Sequence, residues 1–249
     1  MMLFEIVAAT LFVSLLSLLG AALFFLGKKS MQTAMFLLVG FSTGAILGAA
    51  FFDLLPESIG AVGAQGALAA AFAGMVAGFV MEKVIHLHHH HHVDHAGEHK
   101  HPLGPLMLAG GAMHSFFDGV AIAAGFMAGA PVGITTTIAV IFHELPHGIG
   151  NFSLLLYSGY GRRRALLLNF LTALSSVAGG LLFYFFANEV KGLEAYALAF
   201  TAGTFIYIAS ADLFPELHKE KGVKGSLWQL ACILSGALLI WLLASTLGA

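Results

Sequence analysis

His143-Glu144-Leu145-Pro146-His147-Gly148-Ile149-Gly150-Asn151 sits inside a long apolar run, 132–157, where ionisable groups have no place unless something requires them. Two histidines four apart share one face of a helix, and Asn151 continues that face one turn further on. Glu144 is rotated by about 100° from His143 and looks toward a neighbouring face. An ionised side chain at the centre of a membrane helix costs roughly 2.5–3.5 kcal/mol even on a lenient insertion scale. A second apolar run, 104–128, carries a matching pair at mid-depth, His114 and Asp118. Two helices, each offering imidazole and carboxylate, are what a divalent cation inside a membrane needs.

Composition sets the frame for that pair of helices. A chain of 249 residues that is 59% hydrophobic and 10% charged, with mean hydropathy +0.90, is excluded as a soluble globular domain. It reads as one polytopic all-α membrane domain, 1–249. A net charge of −2 gives no reason to expect nucleic acid as a partner; the lipid bilayer is the expected one. The lone Cys232 rules out an intrachain disulfide. The first apolar run lacks a basic start and carries Glu5, so it is expected to be a span, not a cleaved leader.

Hydropathy predicts eight transmembrane helices, about 3–26, 34–55, 64–85, 104–128, 132–157, 165–187, 195–215 and 227–247, each near the roughly 20 residues that cross the hydrocarbon core. Placing both termini outside the cytoplasm puts Lys28, Lys29, Lys83, Lys100, Arg162, Arg163, Arg164, Lys219, Lys221 and Lys224 on the inner side. Only Lys191 then falls outside, which is a strong positive-inside signal. Glycines at helical spacing (Gly40, Gly44 and Gly48 on the second span, Gly74 and Gly78 on the third) are read as helix-packing positions.

The chain also repeats itself. Asp53-Leu54-Leu55-Pro56-Glu57 ends the second span and Asp212-Leu213-Phe214-Pro215-Glu216 ends the seventh, 159 residues later (53 to 212). The same offset carries spans one and three onto six and eight. A displacement of five spans is odd, so the copies run in opposite directions. That is an inverted repeat of helices 1–3 and 6–8 around helices 4–5, an arrangement used by secondary transporters. Asp53 and Glu57 are expected at the entrance, and Asp212, Glu216 and His218 at the exit, where acidic groups concentrate cations. Between spans three and four lies a His-rich cytoplasmic loop, 86–103, with His88, His89, His90, His91, His92 and His95. It is too polar and biased to fold alone, and is expected to contact metal as an accessory tract.

Imidazole with carboxylate suits Zn²⁺ and other first-row ions, whereas Ca²⁺ and Mg²⁺ prefer oxygen shells. Asp118 and Glu144 offset the charge of the ion while the histidines bind neutral. His143-Glu144-x-x-His147 is also the signature of zinc hydrolases, with Glu as base, so an intramembrane zinc metalloprotease is the alternative. Pro146 inside the motif and a second ligand-bearing helix both count against it. A cation-diffusion exporter would show six spans and a soluble C-terminal domain. No phosphate-binding Gly-rich loop ending in Lys-Ser/Thr occurs, so no ATP site is expected.

His114-Ser-Phe-Phe-Asp118-Gly119 followed by His143-Glu-Leu-Pro-His147-Gly-Ile-Gly-Asn151 resembles the ZIP (Zrt/Irt-like) metal-ion transporters, in the branch with an H-E-x-P-H signature. The resemblance spans essentially the whole chain. It implies a transporter and not an enzyme, in a 3+2+3 bundle of eight helices that forms a homodimer. It further implies Zn²⁺ as transported substrate, with Fe²⁺ or Mn²⁺ as further candidates, moving into the cytoplasm across the cell membrane. The helix-4 and helix-5 block is expected to move like an elevator. Carried over by position, the metal ligands are His114, Asp118, His143 and His147, with Glu144 beside them and Asn151 as a weak secondary position. Ser115 stands where the family usually has Asn, Gly148 and Asn151 where this branch has Glu and Asp, and Ser176 where some members place a carboxylate. These departures predict one full metal site.

Overall fold

The computed structural model describes residues 1–23, 28–90 and 103–247. Its regular structure is helical throughout the described residues: α1 Met2–Leu23, α2 Lys28–Ala49, α3 Leu55–His90, α4 Leu103–Ala128 and α5 Ala130–Tyr157. There follow α6 Arg162–Ala173, α7 Ser175–Glu189, α8 Leu193–Ile208, α9 Phe214–Leu217 and α10 Val223–Leu247. Among the described residues four stretches are long and apolar enough to cross a membrane: Ser30–Lys83, Arg162–Ala187, Leu193–Leu217 and Val223–Leu247. At 54 residues the first is more than twice the needed length, and it turns at Gly63, whose φ of 77° only glycine adopts readily.

Where hydropathy ends the second span near 55, the helix in fact continues. A π-helical turn, Ala50–Leu54, joins α2 to α3, and a second one, Ala209–Leu213, joins α8 to α9. Leu55 N–H donates to Ala50 O and Phe214 N–H to Ala209 O, each five residues back. The cause lies just downstream. Pro56 and Pro215 each lack an N–H, and their rings crowd the carbonyl four residues earlier, so the widened turn relieves a clash that would otherwise break the helix. Both turns carry their aspartate fourth, Asp53 and Asp212.

The helices pack in close-crossing pairs. A Cβ at Gly44 would overlap the Ile233 carbonyl of α10, and one at Gly236 would overlap Phe41 O of α2. Gly74 meets Phe200 O of α8 in the same way, and Gly203 meets Ala71 O of α3. A third crossing joins α4 to α7, with Gly119 against Ser176 O and Gly179 against Phe116 O. Missing side chains on both partners let the backbones touch, which lipid-embedded helices need because hydrophobicity supplies no force between them. The remaining principal contacts set α5 against α4, α1 and α2, and α1 against α7. The core comprises Ile6, Ile46, Leu54, Ile122, Val140, Leu198 and Phe205, all at most 1% exposed.

Candidate metal centre

α4 and α5 lie side by side and bring His114, Asp118, His143 and Glu144 together. One ligand atom from each lies within 4.8 Å of every other. Asp118 bridges the set: its Oδ2 is 3.3 Å from His143 Nε2 and 3.6 Å from His114 Nε2. Glu144 Oε2 is 3.5 Å from His147 Nδ1. Four ligands about 2.1 Å from a tetrahedral Zn²⁺ stand roughly 3.4 Å from one another; the two Asp118–histidine spacings are close to that edge, while the group as a whole, spread over up to 4.8 Å, must tighten to close on an ion. Asp118, His143 and Glu144 are buried at 3–4% exposure, which water alone does not compensate.

Hydrogen bonding fixes the chemistry of His143. Its Nδ1 lies 3.2 Å from Ala139 O, a carbonyl that can only accept, so Nδ1 carries the proton. Nε2 then presents a lone pair to the Asp118 carboxylate. With the ring neutral these are two acceptors 3.3 Å apart, which are held together by a proton or by a metal ion between them. A backbone carbonyl orienting a ligating imidazole through its other nitrogen is the usual support for a metal-binding histidine. His114 Nε2 and Glu144 Oε2 are buried without hydrogen-bond partners, two more atoms aimed at the same point.

His147 stands at the edge of this group. Its side chain is 30% exposed, and its ring lies 4.4 Å from that of His114 by centroids. Asn151, one turn on, places Nδ2 3.4 Å from His147 Nδ1. Glu144 therefore stands inside the tight group that was expected to include His147, and His147 faces a cavity of ≈ 240 Å³. Asn151, Glu82, Tyr207 and Asp212 line the same cavity. Sequence reading missed Glu82 and Tyr207, which hydrogen-bond to each other through the Tyr207 hydroxyl. It also missed Phe205, whose ring lies 5.5 Å from His143. An acid near the end of an apolar run was the only signal for Glu82. Nothing marked the two aromatics among so many.

The residues expected at the entrance and exit differ in setting. Asp53 is 8% exposed and accepts a hydrogen bond from Thr135 of α5, so it does not line an open mouth. Asp212, at the same position of an equivalent π turn, is exposed, so the packing of α5 and not the turn accounts for the burial of Asp53. Glu57, Asp212, Glu216 and His218 are exposed, and Glu216 pairs with Lys219. Ser176 is turned toward α1, where its hydroxyl bonds Ser14 at 3.1 Å. Of the His-rich loop, His91, His92 and His95 lie outside the described residues, as do the side chains of His88, His89 and His90.

A family model described as ZIP zinc transporter matches residues 103–244. Zinc transporter zipt-7.2 of Caenorhabditis elegans is 41% identical over 143 residues, covering 56% of this chain and 31% of that protein. Zinc transporter SLC39A7 of Homo sapiens is 37% identical over 148 residues, 57% of this chain and 32% of its own length. Zinc transporter ZIP13 of Mus musculus is 37% identical over 144 residues, 57% and 40% respectively. The match thus spans about a third of the length of these curated relatives.

Proposed function

Because the chain belongs to the ZIP zinc-transporter family, a family of transporters and not enzymes, we propose that it carries Zn²⁺ across a membrane through the cluster on α4 and α5. Its apolar helices make it a multi-pass membrane protein. The observation that carries the reading is the convergence of His114, Asp118, His143 and Glu144, with ligand atoms all within 4.8 Å of one another in a largely buried group. Two carboxylates neutralise the ion, and two neutral imidazoles complete its shell. No dedicated resident site is implied, because His147 and Asn151 stand beside the shell on the cavity side and offer the next ligands along the way out.

The proposed architecture is eight spans in a 3+2+3 arrangement with an inverted repeat. Three facts support it. The two π turns are separated by the same 159 residues as the Asp-x-x-Pro-Glu segments (50 to 209). Gly44 and Gly203, at that same offset, both make backbone-close crossings. The α2–α10 crossing maps onto the α8–α3 crossing under that shift. The excess of basic residues on one side supports a cytoplasmic Asp212 end; on that orientation the cavity opens inward and zinc leaves toward the cytoplasm. Fe²⁺ or Mn²⁺ is a weaker substrate on this reading, since both favour higher coordination and more oxygen ligands.

The protease alternative needs Glu144 free to activate water. Here Glu144 is a member of the ligand group itself, one of four candidate ligands that converge on one point. The test is uptake of ⁶⁵Zn²⁺ into vesicles holding the purified full chain. Time-dependent accumulation that His143→Ala abolishes, with the protein still folded and inserted, is the expected result. Equal uptake by both proteins would remove the site from the transport path. Cleavage of a membrane peptide lost on Glu144→Gln would establish the protease.

A further inference from the structure

The two repeated aspartates stand in opposite settings. Thr135, the partner of Asp53, lies eight residues before His143 on α5, and Asn151 lies eight residues after it, roughly 12 Å in each direction at 1.5 Å per residue. On the Asn151 side, Asp212 is exposed and lines the cavity that reaches His114 and His147. On the Thr135 side the path is filled. Thr135, Thr136, Ala139 and Val140 of α5 are all 0% exposed, against Ala50 and Leu54 of the first π turn, also 0%. Asp53 lies in that seal. The structure supplies one side-chain hydrogen bond to it, from the Thr135 hydroxyl. That hydroxyl has alternatives in its own helix, Val132 O at 3.0 Å and Pro131 O at 3.1 Å, and its single proton serves the carboxylate. Ser58, one turn beyond Asp53, is fully buried with its hydroxyl unpartnered.

We propose that Thr135 is a positioning residue for transport: its hydroxyl latches Asp53 onto the ligand-bearing helix α5 and so holds the outer end shut while the inner cavity is open. This rests on the transport reading above. Asp53 belongs to the repeat-bearing helix run and Thr135 to α5, so the bond joins the two parts that must separate for the outer end to open. On opening, Thr135 can return its proton to Val132 or Pro131 within its own helix. The carboxylate becomes hydrated and faces the incoming cation. Latching and cation capture are therefore exclusive uses of one side chain. A hydrogen bond to a charged group is strong enough to change the ratio of the two states about tenfold or more.

The test uses cysteine accessibility in proteoliposomes without metal, in a Cys232→Ser background. Ser58→Cys reports the outer end, and Thr204→Cys, which lines the cavity, reports the inner end. Thr135→Val is expected to raise labelling of the outer reporter about tenfold and to slow the inner one, whereas Thr135→Ser restores both. Unchanged labelling in Thr135→Val, or Thr135→Ser behaving like Val, overturns the latch. If Thr135→Val fails to fold, Asp53→Ala removes the same bond from the other side and must give the same shift, or the proposal falls. Zinc uptake by the unsubstituted protein is followed in parallel. Reporters that respond in a protein that moves no zinc would leave the latch standing and sink the transport reading instead.

Discussion

Asp118 lies against both His114 and His143, so it is the side chain on which the proposed metal shell turns. A complete zinc shell contributes about 10–16 kcal/mol in small zinc domains, so one of four ligands is worth roughly 3 kcal/mol, or about 100-fold in affinity. Asp118→Ala and His143→Ala are each expected to weaken Zn²⁺ binding by that factor in calorimetry on the purified protein. Asn151→Ala should change it far less, because Asn151 reaches His147 and not the tight group. Protons compete for the same imidazole lone pairs. Zinc affinity should therefore be full above the ordinary imidazole range, near about pH 6.5, and fall as pH drops through it. A flat affinity from pH 5 to about 7 would remove histidine from the shell. The cluster was legible from sequence because ionisable groups in apolar runs are costly. Glu144's place inside it was not, since the phase of one helix does not reveal which side its neighbour covers.

Among elements, the glycine crossings and the π turns show what sequence does and does not disclose. Small-residue stripes announced close packing, and Gly44 and Gly74 indeed meet backbone. Gly60 has nothing within 4 Å of its Cβ position, though it looks the same in sequence. Gly203→Leu should therefore lower thermal stability in detergent by at least the roughly 1–3 kcal/mol typical of overpacking. Gly60→Ala should be neutral or slightly stabilising, by up to about 1 kcal/mol, through reduced chain entropy in the unfolded state. A matched loss in both variants would refute the crossing geometry. The π turns escaped hydropathy altogether. A proline after an apolar run reads as an end, whereas the backbone absorbs it by widening one turn and the helix runs on.

For the molecule as a whole, the proposed sidedness rests on the distribution of basic residues. Cysteine placed at Glu57 is expected to react with an impermeant reagent from outside intact cells, and cysteine at Lys219 only after permeabilisation. The reverse pattern would invert the transport direction. That the chain is an all-helical membrane protein was readable from composition, because so apolar a chain can only bury itself in lipid.

The reciprocal glycines Gly119 and Gly179 clamp α4 to α7, while α5 rests against α1 and α1 against α7. Helices so joined cannot slide independently. If α4 and α5 travel, α1 and α7 travel with them, and the α2–α10 and α3–α8 pairs stay behind as the wall they move along. The carriage for a single zinc ion is then about half the protein, so its speed is governed by how that whole carriage slips along its track and not by the few atoms that grip the passenger.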